Sequence, residues 1–196
     1  MPVQQIKKYV FGYGSLVSQE SLRRTLKHPI DKVDLAVLNG WSRDWSILLD
    51  NSNGKGRYEL EDGTVPKYVA VLNIFKPSAS ELPKNPNGVL FEVNEEDLMF
   101  LDGRETHYIR KDVTEDIEAD VDGKVYAYVG LEEYKTLYKN SAEAILAQSY
   151  IDIVNRGFDS IGDKDAKKFS TTTIHSHLEA KPTQYVDCSI VVSKEE

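Results

Sequence analysis

Tyr9-Val10-Phe11-Gly12-Tyr13-Gly14-Ser15-Leu16 opens on three residues that favour an extended strand and closes on a turn carrying two glycines. Glycine permits positive φ and lets backbone approach its neighbours closely. A helix signal follows at once: Ser18 is placed to cap it, Glu20 lies in its first turn, Arg23, Arg24 and Lys27 lie towards its end, and Pro29 stops it. A strand running through glycines into a helix presents a fan of backbone N–H groups, where an anion can sit. A tight turn with Ser15 or Ser18 capping the helix accounts for the same residues. The stretch is not a dinucleotide fingerprint, because Val17 replaces the third glycine and strands rather than a βαβ unit follow. Nor is it a serine-hydrolase elbow, which needs glycines where Tyr13 and Val17 stand.

Outward from this turn the chain alternates short strands with a few helices. Residues 33–49 carry enough branched and aromatic side chains for one or two strands, broken near Asn39 and Gly40. Residues 50–66 are polar and rich in Gly and Asn, which predicts a mobile loop. Tyr68 to Phe75 is an almost unbroken apolar run that fits a central strand covered on both faces, and Val89, Phe91 and Val93 mark another. Asn94 caps a short helix acidic in its first turn, with Leu98 and Leu101 on its apolar side and Gly103 at its end. A strand over THYIRKDV then pairs with one over residues 125–129, which places Glu105 at a helix-to-strand corner. The strongest helical pattern runs from about Ser141 to Arg156, with Asn140 as cap, Ala142, Leu146, Tyr150 and Ile153 on one face, and Gly157 at its end. Asp163 to Lys168 reads as a helical turn, and the tail from Thr171 holds a strand-like VDCSIVV. Several strands before any long helix indicate an α+β fold with a mixed, barrel-like sheet rather than a doubly wound one. We read residues 1–196 as one domain with a C-terminal extension from about residue 159.

Composition narrows the function. The chain has 196 residues, 40% of them apolar, and 32 acidic against 24 basic side chains give a formal net charge of −8. No dense Lys/Arg cluster is present to neutralise phosphates, so nucleic acid is not an expected partner. The segment MPVQQIKKYV lacks an apolar signal-peptide core, and no apolar run is long enough to cross a bilayer, so a cytoplasmic protein without membrane partners is expected. Cys188 is the only cysteine, which excludes an internal disulfide. His175 and His177 with Cys188 offer three metal ligands at irregular spacing, and two histidines on a solvated face are the default, so no metal is expected. Trp41 and Trp45 read as core or rim aromatics, and Cys188 as a small buried side chain. Taken alone, Glu105 is an ordinary solvated carboxylate.

The turn and the corner gain meaning together. Phe11-Gly12-Tyr13-Gly14-Ser15-Leu16 and, about ninety residues on, Leu101-Asp102-Gly103-Arg104-Glu105 resemble, in order and spacing, the gamma-glutamylcyclotransferase-like superfamily. Gly40-Trp41-Ser42-Arg43-Asp44-Trp45, Asn87-Gly88-Val89-Leu90-Phe91 and Ser149-Tyr150-Ile151-Asp152 extend the resemblance over roughly residues 9 to 158. It implies a small mixed β-barrel flanked by helices, with a cavity at its mouth. It also implies a cofactor-independent enzyme that converts gamma-glutamyl peptides or amines into 5-oxoproline and the free amine. On that resemblance Glu105 is the acid/base, the backbone of Tyr13, Gly14, Ser15 and Leu16 holds the glutamyl group, and Tyr108 and Tyr150 are further substrate-binding candidates. Glutathione, other gamma-glutamyl dipeptides and gamma-glutamyl-lysine isopeptides are all open as substrates, as is the oligomeric state. A non-catalytic binding module on the same fold is the alternative. A raised Glu105 pKa favours catalysis, and permanent pairing with Arg104 or Arg110 favours a structural role.

Overall fold

The glycine turn is built as the sequence implies. A computed structural model describes residues 6–30, 32–52, 56–140 and 143–188. Strand β1 (Lys7–Gly12) runs into a 3-10 turn over Ser15–Val17 and then helix α1 (Gln19–Arg23), whose cap Ser18 accepts the Ser21 N–H. Gly12 and Gly14 are used for closeness rather than for positive φ, which among the described glycines occurs at Gly40, Gly63 and Gly162. A Cβ on Gly14 would sit 3.2 Å from the Tyr150 hydroxyl.

Strands β2 (Asp34–Leu38) and β3 (Ser42–Asp50) flank Gly40, whose φ of 79° turns the chain between them. They are followed by β4 (Gly56–Leu60), β5 (Tyr68–Phe75), β6 (Asn87–Val93) and helix α2 (Glu95–Arg104). Asn94 and Asp97 form a reciprocal capping box at the start of α2. Next come β7 (Tyr108–Asp112), β8 (Ile117–Glu118), β9 (Gly123–Gly130) and helix α3 (Glu132–Asn140). The chain continues through β10 (Ala144–Ala147), α4 (Gln148–Ile161), α5 (Asp163–Thr172), β11 (Ala180–Lys181) and β12 (Thr183–Asp187).

A six-stranded sheet in the order β7-β9-β1-β6-β2-β8 mixes one parallel pair, β1 with β9, among antiparallel ones. A four-stranded sheet, β11-β10-β5-β3, and a two-stranded ribbon, β12-β4, complete the framework. The two larger sheets meet where the Gly130 N–H at the end of β9 donates to Asn73 Oδ1 on β5, 2.8 Å away, so the strands curl into a half-barrel. Phe11, Phe91, Ile47, Leu48, Ile74 and Leu101 fill its interior. The expected α+β class with a mixed, curled sheet and flanking helices is thus found. Among the described residues no helix is long and apolar enough to cross a membrane.

Local expectations need correction. Residues 50–66 are not simply a loop, because β4 lies within them and pairs with β12. Residues 144–147 form strand rather than helix: they are buried between β5 and β11, and ladder bonds on both sides outweigh the helical preference of Ala and Leu. The helix therefore starts at Gln148, runs through Gly157 to Ile161, and has Ala147 as its cap; Asn140 closes α3 instead, and residues 141–142 lie outside the described part. Gly103 stays inside α2, which ends one residue later. The turn predicted over Asp163–Lys168 is a full helix to Thr172, held by Phe169 stacked on Phe158 at 4.5 Å. Of the strand-like VDCSIVV, the first two residues close β12, and residues 189–192 lie outside the described part.

Candidate active site

Glu105 is the C-cap of α2, its N–H still bonded to the Leu101 carbonyl at 2.8 Å, so helix and strand fix its backbone from both sides. Its side chain is only 15% exposed. Burial raises the carboxyl above its usual value, and the neighbouring Arg104 charge opposes that rise without cancelling it. The sign that favours catalysis and the sign that favours a structural role are therefore present together. Arg104 Nε lies 3.0 Å from Glu105 Oε1, whereas Arg110 pairs with Asp102 instead.

Arg104 explains how the turn and the corner are joined. Its Nη2 donates to Ser15 Oγ at 3.0 Å and Ser21 Oγ at 2.9 Å, and its Nη1 to the Ser21 carbonyl at 3.1 Å and Thr25 Oγ1 at 2.8 Å. Both Nη groups are thus fully committed, and Nε makes the ion pair with Glu105. Arg104 is a positioning residue that locks Glu105 to the glycine turn. Arg104 pairs with Oε1, and Glu105 Oε2 makes no hydrogen bond among the described residues.

The tyrosines gather around this carboxyl. Tyr13 donates to the Tyr128 carbonyl at 2.6 Å, and Tyr108 to the Leu72 carbonyl at 2.7 Å. Burial pushes both phenols well above 10, and the Glu105 charge pushes each further, which places all three groups in one low-dielectric neighbourhood. Burial raises Tyr150 to about 12, with the Glu105 charge adding, while backbone amides of Leu72 and Ser15 pull the other way. Tyr150 is 8% exposed, and among the described residues its O–H has no protein acceptor, unlike those of Tyr13 and Tyr108. All three phenols are neutral at pH 7 and act as hydrogen-bonding groups.

The 3-10 turn contributes its start. Val17 and Ser18 donate to the carbonyls of Gly14 and Ser15, and the Ser15 amide bears on the Tyr150 phenol. Leu16 itself packs into the core. The structure thus gathers Glu105, Tyr13, Gly14, Ser15, Tyr108 and Tyr150, with the Leu16 backbone beside them.

Two participants stand in the Gly40–Trp45 stretch that carries part of the resemblance, but the sequence gives them no role. Asp44, on β3, bears on Tyr13 and Tyr108 from another side; burial raises its pKa, and Ser46 Oγ donates to it at 2.6 Å. Arg43, its buried neighbour, donates to the Tyr13 carbonyl at 3.1 Å. Its place next to Trp41 and Trp45 in an otherwise strand-like run was the available signal. Trp41 is core and donates to Asp116, while Trp45 is buried edge-on against Tyr150. A cavity of about 290 Å³ lies elsewhere, between α4 and α5, with Trp45, Phe158 and Phe169 in its lining and His175 at its rim. His177 packs on Tyr138, and Cys188 is half-buried beyond β12 rather than fully buried. Among the described residues no three His, Cys, Asp or Glu side chains converge as a metal site.

No family model matches the chain, and no curated protein matches it in sequence. Solved structures do. YkqA from Bacillus subtilis is similar with a TM-score of 0.54 at 19% identity, over 85% of this chain and 54% of that one, so the chain spans about half of that structure. A gamma-glutamyl cyclotransferase matches with a TM-score of 0.54 at 17% identity, over 87% of this chain and 90% of the other. An uncharacterized protein from Homo sapiens matches with a TM-score of 0.55 at 15% identity, over 88% and 92%.

Proposed function

We propose that this chain, which has the gamma-glutamylcyclotransferase-like fold, is a cytoplasmic, cofactor-independent enzyme that cyclises the gamma-glutamyl group of a peptide or amine to 5-oxoproline. The observation that carries the reading is a nearly enclosed carboxyl, Glu105, with one oxygen tied through Arg104 to the glycine turn and the other uncommitted. The substrate's α-amine must attack its own γ-carbonyl. A new C–N bond closes the five-membered ring, the old amide C–N bond breaks, and one proton passes from the attacking nitrogen to the departing one. No oxidation or reduction is involved.

Glu105 Oε2 takes that proton and returns it. A carboxyl raised by burial is nearer to balance between its two forms at working pH than an exposed one, which suits a group used as base and then as acid. The amides of Gly14, Ser15 and Leu16 hold the substrate carboxylate or the developing oxyanion, and Tyr150 offers its free O–H. Folding the glutamyl chain into attack geometry is itself a large share of the work.

The test is 5-oxoproline release from glutathione, a panel of gamma-glutamyl dipeptides and gamma-glutamyl-lysine. Glu105→Gln is expected to lower turnover about 100- to 10,000-fold, or about 3–5 kcal/mol, with substrate binding retained. Full turnover in that variant overturns the assignment. The Arg104–Glu105 ion pair favours one second reading, a binding module in which Glu105 fixes an ammonium. In that case no substrate releases 5-oxoproline, and Glu105→Gln loses binding.

A further inference from the structure

The two parts of the chain that match no shared motif, residues 50–66 and the tail, come together as the β4–β12 ribbon. Tyr58 stands directly opposite Tyr185, and their rings meet edge-on at 5.2 Å. Gly56, two residues before Tyr58 on the same face, makes room: a Cβ there would lie 2.1 Å from the Tyr185 hydroxyl. Pairing puts Tyr58, Leu60, Thr183 and Tyr185 on one face, while Arg57 and Glu59 form an ion pair on the other.

The aromatic face is fastened beside the candidate active site. Thr183 Oγ1 is 2.8 Å from Ser149 Oγ and accepts the Ser149 N–H at 3.3 Å, one residue before Tyr150. Buried Asn51 clamps the other strand, taking the Tyr58 N–H at 2.8 Å and donating to the Tyr58 and Pro66 carbonyls at 2.9 and 2.8 Å. The Tyr58 phenol lies within electrostatic reach of Tyr150, Arg104 and Arg24, and that of Tyr185 within reach of Arg24 and Arg104. Tyr58 packs on the core, whereas Tyr185 is 47% exposed. The Thr183–Ser149 bonds thus fix the ribbon to α4 one residue from Tyr150, and the half-exposed Tyr185 ring carries the aromatic face out to solvent. The four Nη N–H groups of Arg104 are already used and its Nε is paired with Glu105, so this wall offers ring faces and edges rather than a free guanidinium.

We propose that the ribbon is the wall against which the leaving amine lies, and that Tyr58 and Tyr185 select amines with an aromatic or bulky apolar body over small ones. The proposal rests on the cyclisation reading. With the glutamyl half held at the glycine turn and the scissile nitrogen at Glu105, the remainder of the substrate runs under this face.

The experiment compares gamma-glutamyl-phenylalanine with gamma-glutamyl-alanine on the full chain. Wild type favours the former in kcat/KM, and Tyr185→Ala lowers that preference about tenfold, through KM, while Tyr185→Phe keeps it. Thermal melts establish that both variants are folded. Should Tyr185→Ala unfold, the same ratio is read in Tyr185→Thr and Tyr58→Phe/Tyr185→Leu. A ratio unchanged in the folded variants, or an equal loss on both substrates, overturns the proposal. If wild type releases 5-oxoproline from neither substrate, cyclisation fails separately, and calorimetric binding of the two dipeptides decides for the wall: equal affinities in wild type and Tyr185→Ala overturn it.

Discussion

Arg43 and Glu105 are both charged groups taken out of water, and the chain treats them in opposite ways. Arg43 is fully buried yet surrounded: Nε donates to Thr173 Oγ1 at 2.8 Å, Nη1 to the carbonyls of Tyr13 and Asn87, and Nη2 to Asn87 Oδ1, Thr172 Oγ1 and the Phe169 carbonyl. The Phe169 ring covers its face at 4.4 Å. Desolvation lowers its pKa to about 9, which leaves it a cation at pH 7. Among the described residues Glu105 has one ion-pair partner, Arg104, and its Oε2 has no hydrogen bond. A buried charge with every hydrogen-bonding position filled holds a structure together, and one left partly unanswered is available for chemistry.

The comparison breaks most readily at Arg43. Arg43→Met removes a cation and strands the carbonyls and hydroxyls around it, so unfolding free energy should fall by about 3–5 kcal/mol, read from the urea midpoint at constant slope. Near-wild-type stability would mean that Arg43 does not hold these elements together. Arg104→Gln sharpens the contrast from the other side. Turnover should drop about 10- to 100-fold as Glu105 loses its tether. Because the Arg104 charge opposes the rise of the Glu105 pKa, its removal should also shift the limb of the pH–rate profile that reports Glu105 ionisation to higher pH. A purely structural Arg104 would leave that limb in place.

The smallest effect concerns stability at Glu105. Its folded pKa is raised, so the folded state holds the proton more tightly than the unfolded chain, and stability is lost as pH climbs from the usual 4.5 towards the folded value. Glu105→Gln is relieved of that loss. The variant should be slightly more stable than wild type at neutral pH and indistinguishable below pH 4.5 in paired melts.

Much of the site was legible because its signals are local. The glycine turn, the capped helix α2 and the corner at Glu105 each follow from a few adjacent residues whose preferences agree with the fold. What was missed depends on distant partners. Nothing near Ala144–Ala147 announces that β5 and β11 will flank it, and nothing near Gly56–Leu60 announces Tyr185. Arg104 stood in the motif, but its reach to Ser15, Ser21 and Thr25 depends on how α2 lies across α1, which no local pattern encodes.

The bond from Arg43 to Thr173 spans 130 residues, and it makes the order of synthesis matter to the glycine turn. The ribosome delivers Tyr13 early and α5 late, so the Tyr13 carbonyl acquires its neighbour's finished clamp only after most of the chain has emerged. Closing so long a loop adds little entropy cost beyond that of a shorter one. Its consequence is kinetic: a chain released before α5 would carry the turn, the corner glutamate and all three tyrosines, and still lack the knot that sets the turn against them.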